Sequence, residues 1–304
     1  MQREGKSTYL STSLPSFISP CSTKLSTDWV AMASRLIKIS VDENDLIFAP
    51  PDKKHQRKKT QVKSNSSSKS KSKMKYEEKT IKVVDYGRAF ILHIDSFLSQ
   101  EECLSFIRWC ERGDVFEHCD FAATRDTAHR KQGRYAYPDD EGEISGSIYR
   151  RLLPILPEKI DGKAPCCCSR NIRFYKYMEG DSFGKHIDES HFDEESQGES
   201  KLTLLLYLNG NGEGKQIVVN GDDCNNGDSS VFADYGFDTE VLNALEGGST
   251  LFYKAHTAKD PFLTIEPKMG SMLLHGHGHR CCTHEGSVVT RGAKYILRTD
   301  VIYK

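Results

Sequence analysis

Two periodicities divide this chain. Between Ser99 and Gly113 the apolar positions Cys103, Leu104, Ile107 and Cys110 recur at helical spacing. Ser99-Gln100-Glu101-Glu102 reads as a capping box, with the serine hydroxyl and the Glu102 carboxylate each satisfying a backbone N–H at the helix start. Leu98 is placed to staple onto Cys103, and Gly113 ends the run. A second helix is predicted over 143–153, with Ile144, Ile148 and Leu152 on one face and Pro154 as its stop. From Asn171 the period changes to two. Ile172, Phe174 and Lys176 alternate with Arg173, Tyr175 and Tyr177, and 202–209, 250–253, 270–275 and 294–303 also read as strands. Helices first, then many strands, predicts a mostly β fold, a sandwich or barrel with flanking helices packed outside. No internal repeat is visible.

Composition separates a different region. Lys53 to Lys75 holds ten Lys/Arg and no acid. The whole chain carries −1, so the remainder carries −11: a basic arm on an acidic body. Such a segment buries too little apolar surface to offset its chain entropy, and residues 1–79 are expected to be a disordered basic N-terminal region ahead of a domain over 80–304. The run 53–59 fits either a nuclear-localisation or nucleic-acid patch or a solvated linker. No aromatic side chain interleaves 53–75, so the arm offers phosphate contacts but no base stacking.

The ten cysteines include the adjacent runs 166–168 and 281–282, unsuited to a regular bridge framework, so reduced thiols in an intracellular setting, cytoplasm or nucleus, are expected. The first forty residues are Ser/Thr-rich with only Glu4 and Asp28 as acids, a transit-peptide-like composition weakened by having only Arg3 and Arg35. No apolar run approaches the roughly 18–20 residues of a membrane-spanning helix.

His186-Ile187-Asp188 is the candidate chemistry. On a strand, positions i and i+2 project from one face. With one more imidazole from a distant strand they make two histidines and a carboxylate on one side of a metal, leaving three positions open, the arrangement of non-haem Fe(II) oxygenases. His275, His277, His279 and His284 all compete for the third place. Lys294, ten residues beyond His284, is placed to bind a co-substrate carboxylate, and Arg298 shares its strand face, as a second carboxylate contact or as the partner of a nearby acid. His191 and Asp193 repeat the HxD spacing in a looser acidic segment and are expected to be a decoy or outer pair. Arg125, His129, Arg130 and Arg134 crowd one segment ahead of the strands, either a substrate entrance or a solvated loop.

Five segments, RFYKYMEGDSFGKHID (173–188), TLLLYLN (203–209), EGGSTLF (246–252), PKMGSMLLH (267–275) and HEGSVVTRGAKY (284–295), stand in the order seen in 2-oxoglutarate/Fe(II)-dependent dioxygenases. FILHIDSFLSQEEC (90–103) is similar to the usual lead-in to that domain. The chain most resembles the prolyl 4-hydroxylase-like branch, over roughly residues 80–304. The resemblance implies a double-stranded β-helix (jelly-roll) core and His186, Asp188 and His284 as Fe(II) ligands, His284 because Gly292 and Lys294 follow it at the family's spacing. It implies 2-oxoglutarate and O2 as co-substrates, with ascorbate as a supporting reductant. Lys294, with Tyr207, would bind the far carboxylate; Tyr177 resembles a pocket tyrosine near the metal; and Thr250 is expected to pack. The implied reaction couples oxidative decarboxylation of 2-oxoglutarate to hydroxylation of a protein or peptide side chain such as proline. Two other classes stay open: a nucleic-acid oxidative demethylase using the basic arm, and a non-catalytic metal-binding barrel. The RTDVIY ending departs from the branch's Trp-containing one, and 210–246 is a longer Gly/Asn/Asp-rich insert than the family has there.

Overall fold

The structure is a computed structural model that describes residues 81–86, 89–124, 128–210, 242 and 244–304. The expected disordered arm, most of the 210–246 insert and Arg125 lie outside the described residues.

The chain opens with an antiparallel pair, β1 (Ile81–Tyr86) and β2 (Ala89–Ile94). Helix α1 (Gln100–Arg112) follows, with the capping box formed: the Ser99 hydroxyl accepts from the Glu102 amide at 3.1 Å, and the Ser99 amide donates to the Glu102 carboxylate at 2.8 Å. Strands β3 (Glu117–Phe121) and β4 (Arg130–Pro138) lead to α2 (Glu143–Leu152), which tightens into a 3-10 turn at Leu153–Ile155 where Pro154 ends the α-helix. The remaining strands are β5 (Pro165–Cys168), β6 (Asn171–Met178), β7 (Ser182–His186), β8 (Phe192–Asp193), β9 (Gly198–Tyr207), β10 (Glu246–Gly247), β11 (Thr250–Tyr253), β12 (Leu263–Ile265), β13 (Met272–Gly276), β14 (Thr283–Gly286), β15 (Val289–Arg291) and β16 (Ala293–Tyr303).

The main sheet runs β1-β2-β13-β9-β16-β6-β4-β7-β14-β11-β12, antiparallel throughout. It curls on itself as a jelly-roll core, as the resemblance implies. Its central strands are buried on both faces, and alternation assigns each side chain to a side. Leu202, Leu204 and Leu206 of β9, with Leu297 and Val301 of β16, join Phe106, Ile107, Ile148 and Leu152 of the helices in one core. Leu205 and Tyr207 of β9, Ile296 of β16, and Tyr175 and Tyr177 of β6 face the other way, into the barrel. Glu102 of α1 and Arg151 of α2 pair at 2.7 Å between the helices, both buried. The described cysteines are free, and Cys103 and Cys110 sit in the helix-side core. No described helix is long and apolar enough to cross a membrane.

Candidate active site

A cavity with about 460 Å³ of empty space opens on the barrel side of the sheet. Seven strands contribute to its wall, among them Tyr177 of β6, Phe183 and His186 of β7, Leu205 of β9, Thr250 of β11, His284 of β14, and Lys294 with Arg298 of β16. These residues are up to 123 positions apart in the chain and meet because β7 pairs with β14, which sets His284 directly opposite His186.

His186, Asp188 and His284 come together, their ligating atoms all within 4.8 Å of one another. Both imidazoles are oriented by backbone oxygens: His186 Nδ1 lies 2.8 Å from the Gly184 carbonyl and His284 Nδ1 lies 3.0 Å from the Cys282 carbonyl. With protons on those Nδ1 atoms, each Nε2 lone pair is left free. Burial, then the neighbouring His284, holds His186 down to about 3, and burial likewise lowers His284, so both rings are neutral at physiological pH. The 3.6 Å approach of His186 to Asp188 is therefore a polar contact rather than an ion pair.

One sequence expectation is corrected here. His186 and Asp188 do not lie on one strand: β7 ends at His186 and Asp188 follows in irregular backbone. What returns the carboxylate to the imidazole is tertiary. The Asp188 carbonyl accepts from the Gly278 amide at 2.8 Å. Its Oδ2 accepts from the Thr203 hydroxyl at 2.6 Å and from Arg298 at 3.0 Å. Burial would raise this carboxyl, but the Arg298 guanidinium outweighs it and holds it well below the usual range. With Oδ2 occupied, Oδ1 is the oxygen left facing His186.

Lys294 is 1% exposed, and burial pulls its ammonium down to about 7. It donates to the Gly248 carbonyl and lies 4.7 Å from the Tyr177 ring centre; among the described residues no carboxylate pairs with it. Gly248 has φ +70, and a Cβ there would stand 2.9 Å from Lys294 Cδ, so glycine is what lets the backbone close over the amine.

The other expected positions fall as follows. Arg298 lines the cavity, but its charge is already met by Asp188 and, at 3.6 Å, by Asp300. Tyr177 lines the cavity wall. Tyr207 is fully buried behind it, its hydroxyl 2.7 Å from Thr250 Oγ1, and Thr250 itself lines the cavity instead of merely packing. His191 and Asp193 stay outside: His191 bonds Ser200 at 2.8 Å and Asp193 accepts from the Ser196 amide at 2.9 Å. His277 joins the network beneath Asp188, with its Nε2 2.7 Å from Thr203 Oγ1. His279 is exposed beside Arg280. Sequence reasoning missed Thr203, Phe183 and His275 as wall residues; the two-residue period around Leu205 already put Thr203 on the barrel face.

The donor set fits a ferrous ion: two neutral imidazoles with free Nε2 atoms and one carboxylate oxygen, convergent, with Asp188 and His284 buried and His186 half-buried. The buried Lys294 amine in the same cavity, with no carboxylate partner among the described residues, fits a carboxylate-bearing co-substrate. A jelly-roll sheet around a convergent pair of imidazoles and a carboxylate is the arrangement that facial-triad oxygenases use. Residues 172–299, from β6 to β16, match the model of the 2OG-Fe(II) oxygenase superfamily, which marks that segment as a 2-oxoglutarate-dependent dioxygenase domain using Fe(II), 2-oxoglutarate and O2. Similar solved structures include a viral collagen prolyl hydroxylase from Paramecium bursaria Chlorella virus-1 in its 2OG complex, at 18% identity and TM-score 0.43, covering 70% of this chain and 95% of that one. A prolyl hydroxylase from Trichoplax adhaerens, in complex with a hypoxia inducible factor peptide fragment, matches at 17% identity and TM-score 0.44, covering 70% and 83%. A Pseudomonas putida prolyl-4-hydroxylase matches at 14% and 0.39, covering 70% and 92%. No curated protein matches in sequence.

Proposed function

We propose that this chain hydroxylates a protein or peptide side chain, with proline the first candidate, using Fe(II) held by His186, Asp188 and His284 and 2-oxoglutarate anchored by Lys294. The observation that carries the reading is one cavity holding both the convergent His–Asp–His set and the buried Lys294 amine, which has no carboxylate partner among the described residues. When bound, iron and 2-oxoglutarate supply the oxidising step, in which decarboxylation to succinate and CO2 is coupled to transfer of one oxygen atom from O2 into a substrate C–H bond.

The chain's own residues do the rest. Lys294 neutralises the far carboxylate of the co-substrate where water cannot. Thr203 and Arg298 fix Asp188 so that one oxygen faces the metal position. Phe183, Leu205 and Ile296 give the wall an apolar side that excludes water and suits an apolar target side chain. The Arg130 guanidinium lies 4.1 Å over the Phe183 ring and fixes that side of the wall. Proline comes first because the motifs most resemble the prolyl 4-hydroxylase-like branch. The acidic body supports a protein substrate over a nucleic acid, whose phosphates it repels.

The test is mass spectrometry of proline-containing peptides incubated with the protein, Fe(II), ascorbate and 2-oxoglutarate. Products heavier by one oxygen atom, with matching succinate, are expected. Oxidation confined to methylated oligonucleotides in a parallel incubation, with the peptides unchanged, would reject the substrate class, and His284→Ala retaining turnover while His275→Ala lost it would reject the ligand set.

A further inference from the structure

We propose that His275, Cys281 and His284 form a second cation site, for a thiol-seeking divalent ion of the zinc type, and that filling it withdraws His284 from the iron set. The inhibitory part rests on His284 being an iron ligand; the site itself does not.

The geometry comes first. Cys281 Sγ lies 3.6 Å from His284 Nδ1 and 3.9 Å from His275 Nδ1, and the three residues' ligating atoms lie within 4.8 Å of one another. A tetrahedral zinc with bonds of roughly 2.0–2.1 Å to nitrogen and 2.3 Å to sulfur sets those atoms about 3.5 Å apart. The two sulfur–nitrogen distances already stand close to that spacing. The surroundings of His275 leave Nδ1 available. His275 is 1% exposed and its Nδ1 reaches the Gly276 carbonyl only at 3.4 Å, while its Nε2 stands 3.8 Å from Asp188 Oδ2. A cation between Nδ1 and Cys281 would give Nδ1 a strong partner and leave the ring's proton on Nε2, toward that carboxylate.

The chain builds the site locally. His275 is the next-to-last residue of β13, the 3-10 turn Gly278–Arg280 follows, and Cys281 comes just before His284 on β14. A Cβ at Gly276 would stand 2.7 Å from Arg280 Cβ, so this turn needs glycine there.

The two sites share one ring through opposite nitrogens. In the iron set His284 offers Nε2 while Nδ1 donates to the Cys282 carbonyl. A neutral imidazole has one nitrogen lone pair. A cation on Nδ1 moves the proton to Nε2 and ends its use in front, while the thiol releases its proton on binding. Hard ions such as Mn(II) prefer the oxygen-and-nitrogen set in front, and a soft ion prefers the thiolate set behind. A zinc-type ion is thus a brake on this enzyme rather than its cofactor.

The full-length protein is titrated with Co(II) as a spectroscopic stand-in for zinc, and separately with Zn(II) after loading with Mn(II). Wild type should show thiolate-to-cobalt charge-transfer absorption, and one equivalent of Zn(II) should release the Mn(II). Cys281→Ser should lose the absorption, keep Mn(II), and need about tenfold or more Zn(II) for release, the scale of one charge-assisted interaction lost. His186→Ala should lose Mn(II) yet keep the cobalt absorption. No absorption in wild type, absorption persisting in Cys281→Ser, or Zn(II) and Mn(II) held together would overturn the proposal. Mn(II) retained by His186→Ala would instead overturn the iron-set reading and leave the second site standing.

Discussion

Lys294 shows how much a single residue's surroundings decide. Burial lowers its ammonium to about 7, against about 10.4 in an unfolded chain. Between those values the unfolded chain binds one proton more than the folded one, so this group's contribution to stability rises with pH through that window. The melting temperature of the metal-free wild type, relative to Lys294→Met, should therefore climb from pH 7 to pH 9; a flat difference would mean the amine stays charged. A bound carboxylate favours the ammonium, so 2-oxoglutarate binding to the Mn(II)-loaded protein should weaken as pH rises above 7. Lys294→Met should lower that affinity by roughly ten- to a hundred-fold, one charge-assisted hydrogen bond at 1.4 kcal/mol per decade, and remove its pH dependence. Arg298→Ala is the contrast. Its partner is Asp188, so its loss leaves a buried carboxylate uncompensated. The metal-free protein should lose about 3–5 kcal/mol in denaturant unfolding. Divalent metal should restore part of this, and the larger effect on 2-oxoglutarate should remain with Lys294.

At the scale of elements, β16 works on both faces. Leu297 is buried against the helix-side core, while Ile296, one residue earlier, lines the cavity. Leu297→Ala should destabilise by about 2–5 kcal/mol with little change in the KM for 2-oxoglutarate. Ile296→Ala should shift substrate-coupled turnover with a smaller drop in melting temperature; equal melting shifts with unchanged turnover would show the two faces are not functionally distinct. The helices were legible from spacing and caps alone: Ser99 and Glu102 sit where their side chains bond the first turn, and Pro154 stops α2. The Glu102–Arg151 pair was not, because Glu102 reads equally well as a cap residue only. Removing Arg151 should cost about 3–5 kcal/mol, since it strands a buried carboxylate that also serves the cap.

For the whole molecule, curling the sheet brings β7 and β14 beside each other, and β16 to the same cavity, from distant stretches of chain. The two described cores, helix side and barrel side, close entirely within residues that follow Tyr86. Deleting residues 1–79 should therefore leave succinate formation and melting temperature unchanged, while localisation or substrate capture is free to change. A fall of several degrees on deletion would show that the basic region packs on the domain.

The sequence by itself determined the mostly β domain, both helices, and four polar residues that meet in the cavity, His186, Asp188, His284 and Lys294, because periodicity, caps and spaced motifs are local properties of the chain. It left Arg298 between two roles and put Asp188 on a strand that ends at His186. Tertiary structure decided those points. Thr203 on β9 and Arg298 on β16 reach Asp188 across the barrel, and Thr250 on β11 stands between Tyr207 and the cavity. Whether a buried charge is already paired, as at Arg298, or still lacks a carboxylate, as at Lys294, depends on which side chains the closed sheet sets within about 3 Å of it, and no spacing along the chain encodes that distance.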